Sequence, residues 1–166
     1  MNRTFAIAIV IFVSVAASGC SKKKPENLPP APGVAQNDRG SSTIVPGSQA
    51  DFVQQMSGQD TIYFDTDRFN IDDIDAAALQ AQAQWLARYP AKRARIEGHA
   101  DERGTRDYNL ALGERRANAA KNYLVSLGID TSRLTVVSYG EERPVAVASN
   151  PEAWAKNRRA VTVTID

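Results

Sequence analysis

The chain is poor in the residues that build disulfides and metal centres. It has one cysteine, Cys20, and one histidine, His99. A single thiol excludes an intramolecular disulfide, and one thiol with one imidazole excludes a multi-histidine centre or a Cys/His zinc cluster. Charge of one sign is also lacking: twenty Lys and Arg against nineteen Asp and Glu leave a formal net charge of +1. That is not a globally basic chain, and no nucleic-acid partner is expected. The apolar run from Phe5 to Ala17, broken only by Ser14, has thirteen residues, too few for a membrane-spanning helix of about 20. What is present suits a packed core. Of 166 residues, 43% are hydrophobic and 23% charged, enough for one domain with some chain left over.

The N-terminus reads as an export segment. Arg3 gives a basic tip, the apolar run follows, and Ala16, Ala17, Ser18 and Gly19 supply small residues, the pattern of a secretory signal peptide. Ala17-Ser18-Gly19-Cys20 resembles a bacterial lipobox, with Ala17 where Leu is usual. The resemblance implies that Cys20 becomes the first residue of the mature chain and carries lipid. Each buried CH₂ of an acyl chain contributes about 0.8 kcal/mol of membrane anchoring. Ser21 in place of Asp implies the outer membrane over the inner one. The alternative is an ordinary cleaved signal with an incidental thiol. No cofactor is expected beyond the covalent lipid. From Lys22 to Gly47 the chain holds five of its eight prolines and no apolar periodicity, the composition of a tether. The expected organisation is a signal peptide over 1–19, a lipidated cysteine and tether over 20–50, and a globular domain over 51–166. The tether carries a net +2 and the domain a net −2.

Within the domain, Thr61 to Phe64 predicts a short strand. Asp75 predicts an N-cap for a helix from Ala76 to Tyr89, with Leu79, Ala83 and Leu86 on one stripe and Pro90 as its stop. Ala94 to Ala100 alternates as a strand. A second helix is expected from Asp107 to Leu127, with Leu110, Gly113, Ala117, Ala120, Leu124 and Leu127 facing inward and Gly128 as a left-handed cap. Leu134 to Tyr139 and Ala160 to Ile165 are further strands, with a helical turn around Trp154 between them. Strands separated by helices predict an α/β sandwich, a mixed sheet covered by helices on one face.

The most informative residues are Gly98 to Thr105, then Asn109, then Glu114-Arg115-Arg116-Ala117-Asn118, with Tyr63 to Asp67 upstream and Asn157 to Val161 downstream. Asp101 falls at a strand end, and Arg116 and Asn109 fall on neighbouring faces of the following helix. The start of that helix offers free N–H groups and a partial positive charge. A guanidinium holds a carboxylate and a carboxylate holds an ammonium, so the set complements a zwitterion. A plain Asp101–Arg116 salt bridge is the structural alternative. Together these motifs resemble the OmpA-like peptidoglycan-binding domain over about residues 55–166, and within that family its lipid-anchored branch of peptidoglycan-associated lipoproteins. The resemblance implies a βαβαβ(α)β fold. The implied ligand is the free end of diaminopimelate in peptidoglycan stem peptides. The resemblance also carries over Asp101 and Arg116 as the binding pair, with Asp67 as a third contact. In the expected roles Asp101 accepts from the ammonium, Arg116 donates to a carboxylate or orients Asp101, and Asp67 closes the pocket. Arg103, Thr105 and Asn109 are expected to line it. The implied partners are peptidoglycan, the periplasmic protein TolB, other Tol proteins, and the outer membrane through the lipid. The implied role is an anchor between membrane and wall during envelope constriction at division.

Other readings lack their machinery. A wall hydrolase would use Asp65, Asp67 or Glu97, but no Ser or Cys nucleophile stands beside a base. A flagellar-stator-like wall anchor carries a true transmembrane helix. His99 alternates with Glu97 and Asp101 along one strand; a packed, hydrogen-bonded histidine is the expected state. Asn157-Arg158-Arg159 is expected to serve the fold, as a basic strand entrance facing the acidic 65–75 region.

Overall fold

The computed structural model describes residues 44–165. The signal segment, Cys20 and most of the expected tether lie outside the described residues. The elements in chain order are α1 (Gln49–Met56), β1 (Thr61–Tyr63), α2 (Asp73–Arg88), β2 (Arg93–His99), α3 (Arg106–Ser126), β3 (Leu134–Gly140), α4 (Pro151–Asn157) and β4 (Arg159–Ile165), with a 3₁₀ turn at Thr131–Arg133 before β3.

The sheet order is β1-β4-β2-β3. β4 runs antiparallel to β1 and β2, and β2 runs parallel to β3. The sheet is therefore mixed, as expected, and β4 is interior. Ala94, Ile96, Leu134 and Ala160 form the covered face and join Leu79, Leu86, Ala117 and Leu124 of α2 and α3 in one core. Thr162 donates to Gln82 of α2 at 2.7 Å, and Thr164 donates to Gln49 of α1 at 2.6 Å. On the opposite face Arg95 and Glu97 form a 2.7 Å ion pair.

Two glycines set how closely α3 lies on β2. A Cβ on Gly98 would stand 1.8 Å from the Gly113 carbonyl oxygen, and one on Gly113 would stand 2.4 Å from Ser138 Oγ. Backbone meets backbone here, which brings the start of α3 against the end of β2.

Helix α1 begins two residues before the expected domain start and is absent from the sequence expectation. Ser48 caps it by accepting from the Asp51 N–H at 3.1 Å. Asp51 in turn accepts from the Gly47 N–H and from Trp85 Nε1, both at 3.0 Å. Phe52 packs edge-on against Trp85 with ring centroids 5.0 Å apart. This latch fastens α1 to α2. The cap of α2 is Asp72 rather than Asp75: Asp72 accepts from the Asp75 N–H at 2.8 Å, and Asp75 lies in the first turn. Asp75 has a different task, accepting from the Tyr63 N–H at 3.1 Å at the end of β1. The inward face of α3 also differs from expectation. Leu110 is only half-buried and Leu127 is exposed, whereas Asn109, Leu112 and Arg116 are buried. Two polar residues therefore occupy positions that an apolar-stripe pattern cannot reveal.

His99 is packed, but not hydrogen-bonded: neither ring nitrogen has a partner. A register shift between Gly98 and His99 pairs His99 with Gly140 and breaks the simple alternation of β2. The ring is buried against Tyr139 at 5.5 Å. Burial, then the charges of Arg159 and Arg143, push its pKa down to about 4. Asp75 is the counterpart: burial, then the Asp72 charge, raise its pKa to about 6 against the opposing Tyr63 N–H. Unfolded imidazole titrates near 6.5 and unfolded aspartate near 3.9. Between about pH 4 and 6.5 the unfolded chain binds the extra proton at His99, so this group's contribution to stability falls as pH falls. At Asp75 the folded chain holds the extra proton, so its contribution falls as pH rises from about 4 to 6. The two oppose each other. Replacing His99 with Phe should remove the first. The stability of the wild type relative to His99→Phe should then rise by on the order of 2 kcal/mol between pH 4 and 6.5 in urea titrations. A pH-independent difference would contradict this assignment.

Candidate functional site

A cleft of about 260 Å³ opens where β2 ends and α3 begins. Its wall includes Thr66 and Asp67 from the β1–α2 loop, Asp101, Arg103 and Gly104 from the β2–α3 loop, Tyr108, Asn109, Leu112 and Arg116 from α3, and Arg158 at the start of β4. Five sequence-selected residues thus converge: Asp67, Asp101, Arg103, Asn109 and Arg116. Thr105 is placed outside this wall. Its hydroxyl accepts from the Tyr108 N–H at 3.3 Å and caps α3. Three guanidinium groups against two carboxylates leave the cleft one formal positive charge.

Asp101 is the centre of the site, and its side chain is almost wholly buried. Oδ1 accepts from the Arg103 N–H at 3.1 Å and from Arg103 Nε at 2.9 Å. Oδ2 accepts from Arg103 Nη2 at 2.7 Å and lies 3.4 Å from Arg158 Nη1. Burial pushes the carboxyl pKa up, but the bonds from Arg103, with the weaker one from Arg158, outweigh it and hold the pKa below its usual value. Asp101 is therefore an ionised acceptor at neutral pH.

Arg116 is fully buried. The geometry is not that of a salt bridge to Asp101. Its Nε donates to the Arg68 carbonyl at 2.9 Å, Nη1 to His99 at 2.8 Å and Nη2 to Asp65 at 3.0 Å. One planar fork thereby ties the β1–α2 loop to the end of β2. Burial, then the nearby Arg158 charge, push its pKa down to about 10, so it stays cationic at neutral pH. The loop it holds turns through Asp67, which adopts a left-handed φ of 56°. Asp67 Oδ1 accepts from the Tyr108 hydroxyl at 3.2 Å. Asn109 donates to the Arg103 carbonyl at 3.1 Å and to Glu141, fixing the loop that carries Arg103.

Thr66, Tyr108 and Arg158 were not singled out as ligand contacts from sequence. Arg158 was assigned to the fold, and it does donate to the Phe64 carbonyl at 2.8 Å. The same side chain also lines the cleft. Its neighbours keep to structure: Arg159 donates to the Arg143 carbonyl at 3.1 Å, and Asn157 accepts from the Val145 and Ala146 N–H groups. Arg158 is the C-cap of α4 and Arg159 opens β4, so the two adjacent arginines belong to different elements.

Residues 63–158 match the model of the OmpA family. The chain is 50% identical over 157 residues to the peptidoglycan-associated lipoprotein of Brucella melitensis, an alignment covering 95% of this chain and 90% of that protein. It is 49% identical over 158 residues to that of Rhizobium meliloti, covering 95% and 86%. The crystal structure of the peptidoglycan-associated lipoprotein from Burkholderia pseudomallei superposes with a TM-score of 0.62 at 43% identity, covering 63% of this chain and 89% of that one. Fold, motif positions and relatives agree: the chain belongs to the OmpA family, among the peptidoglycan-associated lipoproteins.

Proposed function

We propose that this chain is an outer-membrane lipoprotein of the Tol–Pal system that anchors the membrane to peptidoglycan by gripping the free end of diaminopimelate. The observation that carries this reading is the pairing of opposite charges in one small cleft. Asp101 is buried and ionised, and the Arg103 and Arg158 guanidiniums paired with it supply the cations, so an ammonium and a carboxylate can each find an opposite charge there. Asp67 closes the opposite side, held by Tyr108. The relatives' names as peptidoglycan-associated lipoproteins support the same ligand class. Arg116 acts as the positioning residue, because three of its five N–H groups hold backbone carbonyls of the β1–α2 loop and β2. The reading is of a binding module, not a hydrolase: the cleft carboxylates are neutralised by neighbouring cations and hydroxyl donors.

Among the described residues no helix is long and apolar enough to cross a membrane. The lipobox resemblance at Cys20 supports attachment by lipid, and Ser21 supports the outer membrane. The chain from Cys20 to Val45, ahead of the capped start of α1, spans at most about 80–90 Å when fully extended, which sets the reach of the clamp. TolB and other Tol proteins are the proposed periplasmic partners, with TolB competing for the wall-binding surface.

The test is a sacculus pull-down of the mature lipoprotein. Asp101→Asn should lower affinity at least tenfold, and saturating TolB should displace the wild type. Mass spectrometry of the same preparation should show residues 1–19 removed and acyl mass on Cys20. Unchanged binding by Asp101→Asn, or release of soluble muropeptides from the sacculi, would defeat the binding reading. An unmodified thiol would defeat the anchor.

A further inference from the structure

Asp101 has no spare seat for a ligand. Arg103 holds it in a bidentate grip, with Nε 2.9 Å from Oδ1 and Nη2 2.7 Å from Oδ2, and adds its own N–H to Oδ1. Arg158 occupies the remaining side of Oδ2. A carboxylate has about four acceptor positions, and four donors fill them. A ligand ammonium reaches Asp101 only by displacing one of these donors. Arg158 is fixed by its bond to the Phe64 carbonyl and is largely buried. Arg103 is the more exposed member, with 42% of its side chain accessible, and its Nη2 also donates to Thr66 Oγ1 at 3.3 Å.

Arg103 also has a second support. Its guanidinium lies 4.3 Å from the centroid of the Trp154 ring, and Trp154 is itself fixed by donating Nε1 to Glu102 at 3.0 Å. Asn109 holds the Arg103 carbonyl, so the backbone stays in place while the side chain turns. A cation on an aromatic face retains attraction as it slides across the ring. Arg103 can therefore leave Asp101 without leaving Trp154.

We propose that Arg103 is the specificity-determining residue of the cleft and that it works by ion exchange. Ligand ammonium takes the Asp101 seat, and the released Arg103 guanidinium closes on the carboxylate borne by the same ligand carbon. Two opposite-charge contacts replace one, and no charge is left unpaired. A ligand that brings an ammonium without that carboxylate costs Arg103 its bidentate partner, leaving it the weaker attraction of Asp67 and Glu102 against the repulsion of Arg158 and Arg116. The cleft thus selects a complete amino-acid centre over a simple amine, and rejects a centre whose carboxylate is amidated. This rests on the proposed wall-binding function, since it concerns the same cleft.

The test is calorimetric titration of the protein with three soluble peptides. The first is L-Ala-D-Glu-meso-diaminopimelate. The second is the same peptide amidated at the free-end carboxyl, and the third carries lysine in place of diaminopimelate. The wild type should prefer the first over the other two by at least tenfold. Arg103→Gln should cut that preference to threefold or less while still binding all three, because Asp101 is then open to any ammonium. Arg103→Lys keeps the charge but loses the bidentate fork, and should fall between them. Circular dichroism checks that each variant is folded. Wild-type discrimination in Arg103→Gln overturns the exchange while leaving the wall-binding reading intact. Failure of the wild type to bind any of the three overturns both.

Discussion

Replacing Arg116 with methionine is expected to lower the unfolding free energy by about 2–3 kcal/mol, since a hydrogen bond to a charged group contributes about 1.5–3 kcal/mol and the losses are not fully additive. Methionine fills a similar volume, so little of the loss comes from a cavity. The loss comes from the carbonyls of Asp65, Arg68 and His99, which lose their shared donor at the junction of two segments. The His99 carbonyl is the buried one of the three, and an unsatisfied buried acceptor costs about 1–3 kcal/mol; the Asp65 carbonyl keeps the Arg68 N–H as a second donor at 3.2 Å. Arg116→Lys should lose less, since the charge remains but a single ammonium cannot serve three carbonyls set around a planar fork. Chemical denaturation measures both. A loss below about 1 kcal/mol for Arg116→Met would mean that the loop finds other donors, and the positioning role would be wrong. The result bears on how binding data are read. Weak wall binding by an Arg116 variant reports a displaced Asp65–Arg68 loop, not a lost ligand contact, unless the variant's stability is measured alongside.

Gly98→Ala should be at least as damaging, at about 3 kcal/mol or more. Overpacking a core usually costs about 1–3 kcal/mol because side chains shift to absorb it. Here the added Cβ would meet the carbonyl oxygen and carbon of Gly113 at 1.8 and 2.6 Å. No rotamer relieves a clash with backbone, so α3 must lift off β2. Gly113→Ala should cost less. Its nearest obstacle is Ser138 Oγ, which can turn away at the loss of its 2.6 Å bond to the Leu110 carbonyl, and the backbone it then meets, the Gly98 carbonyl oxygen, stands at 2.9 Å rather than 1.8 Å. The expected order in urea midpoints is wild type, then Gly113→Ala, then Gly98→Ala. Equal stability of Gly98→Ala and wild type would refute the close approach. Asp101 lies three residues beyond Gly98, and Asn109 and Arg116 flank Gly113, so the same spacing sets the width of the cleft.

Much of this was legible in the sequence. The strand alternations, the long α3 and the Asp101-to-Arg116 motif are local patterns, and local patterns survive folding. Helix α1 was not legible, because its eight residues offer only Phe52, Val53 and Met56 as apolar signal. Its stability depends on Asp51 meeting Trp85, thirty-four positions away. The place of Arg158 in the cleft was missed for the same reason: its bond to Asp101 joins residues fifty-seven apart. Arg116 lies in the cleft wall, and its bonds to three carbonyls are what the sequence does not show. Sequence pairs charged residues with one another, whereas three backbone carbonyls carry no label in the sequence. Thr105 shows the reverse case, a residue inside the motif whose hydroxyl serves the helix cap.

The interior position of β4 has a consequence for how this molecule is made. It is the last strand in chain order, yet β1 and β2 both pair with it. Until Arg159 to Ile165 are available, β1 has no strand with which to pair. The bond from Arg158 to the Phe64 carbonyl closes a loop of ninety-four positions, and long loops make for slow, cooperative assembly. A nascent chain that has not yet delivered this final segment therefore has an incomplete sheet and an incomplete cleft at the same time. The other nine residues of the cleft wall come earlier in the chain, so the closing segment completes the sheet and the cleft together by adding β4 and Arg158.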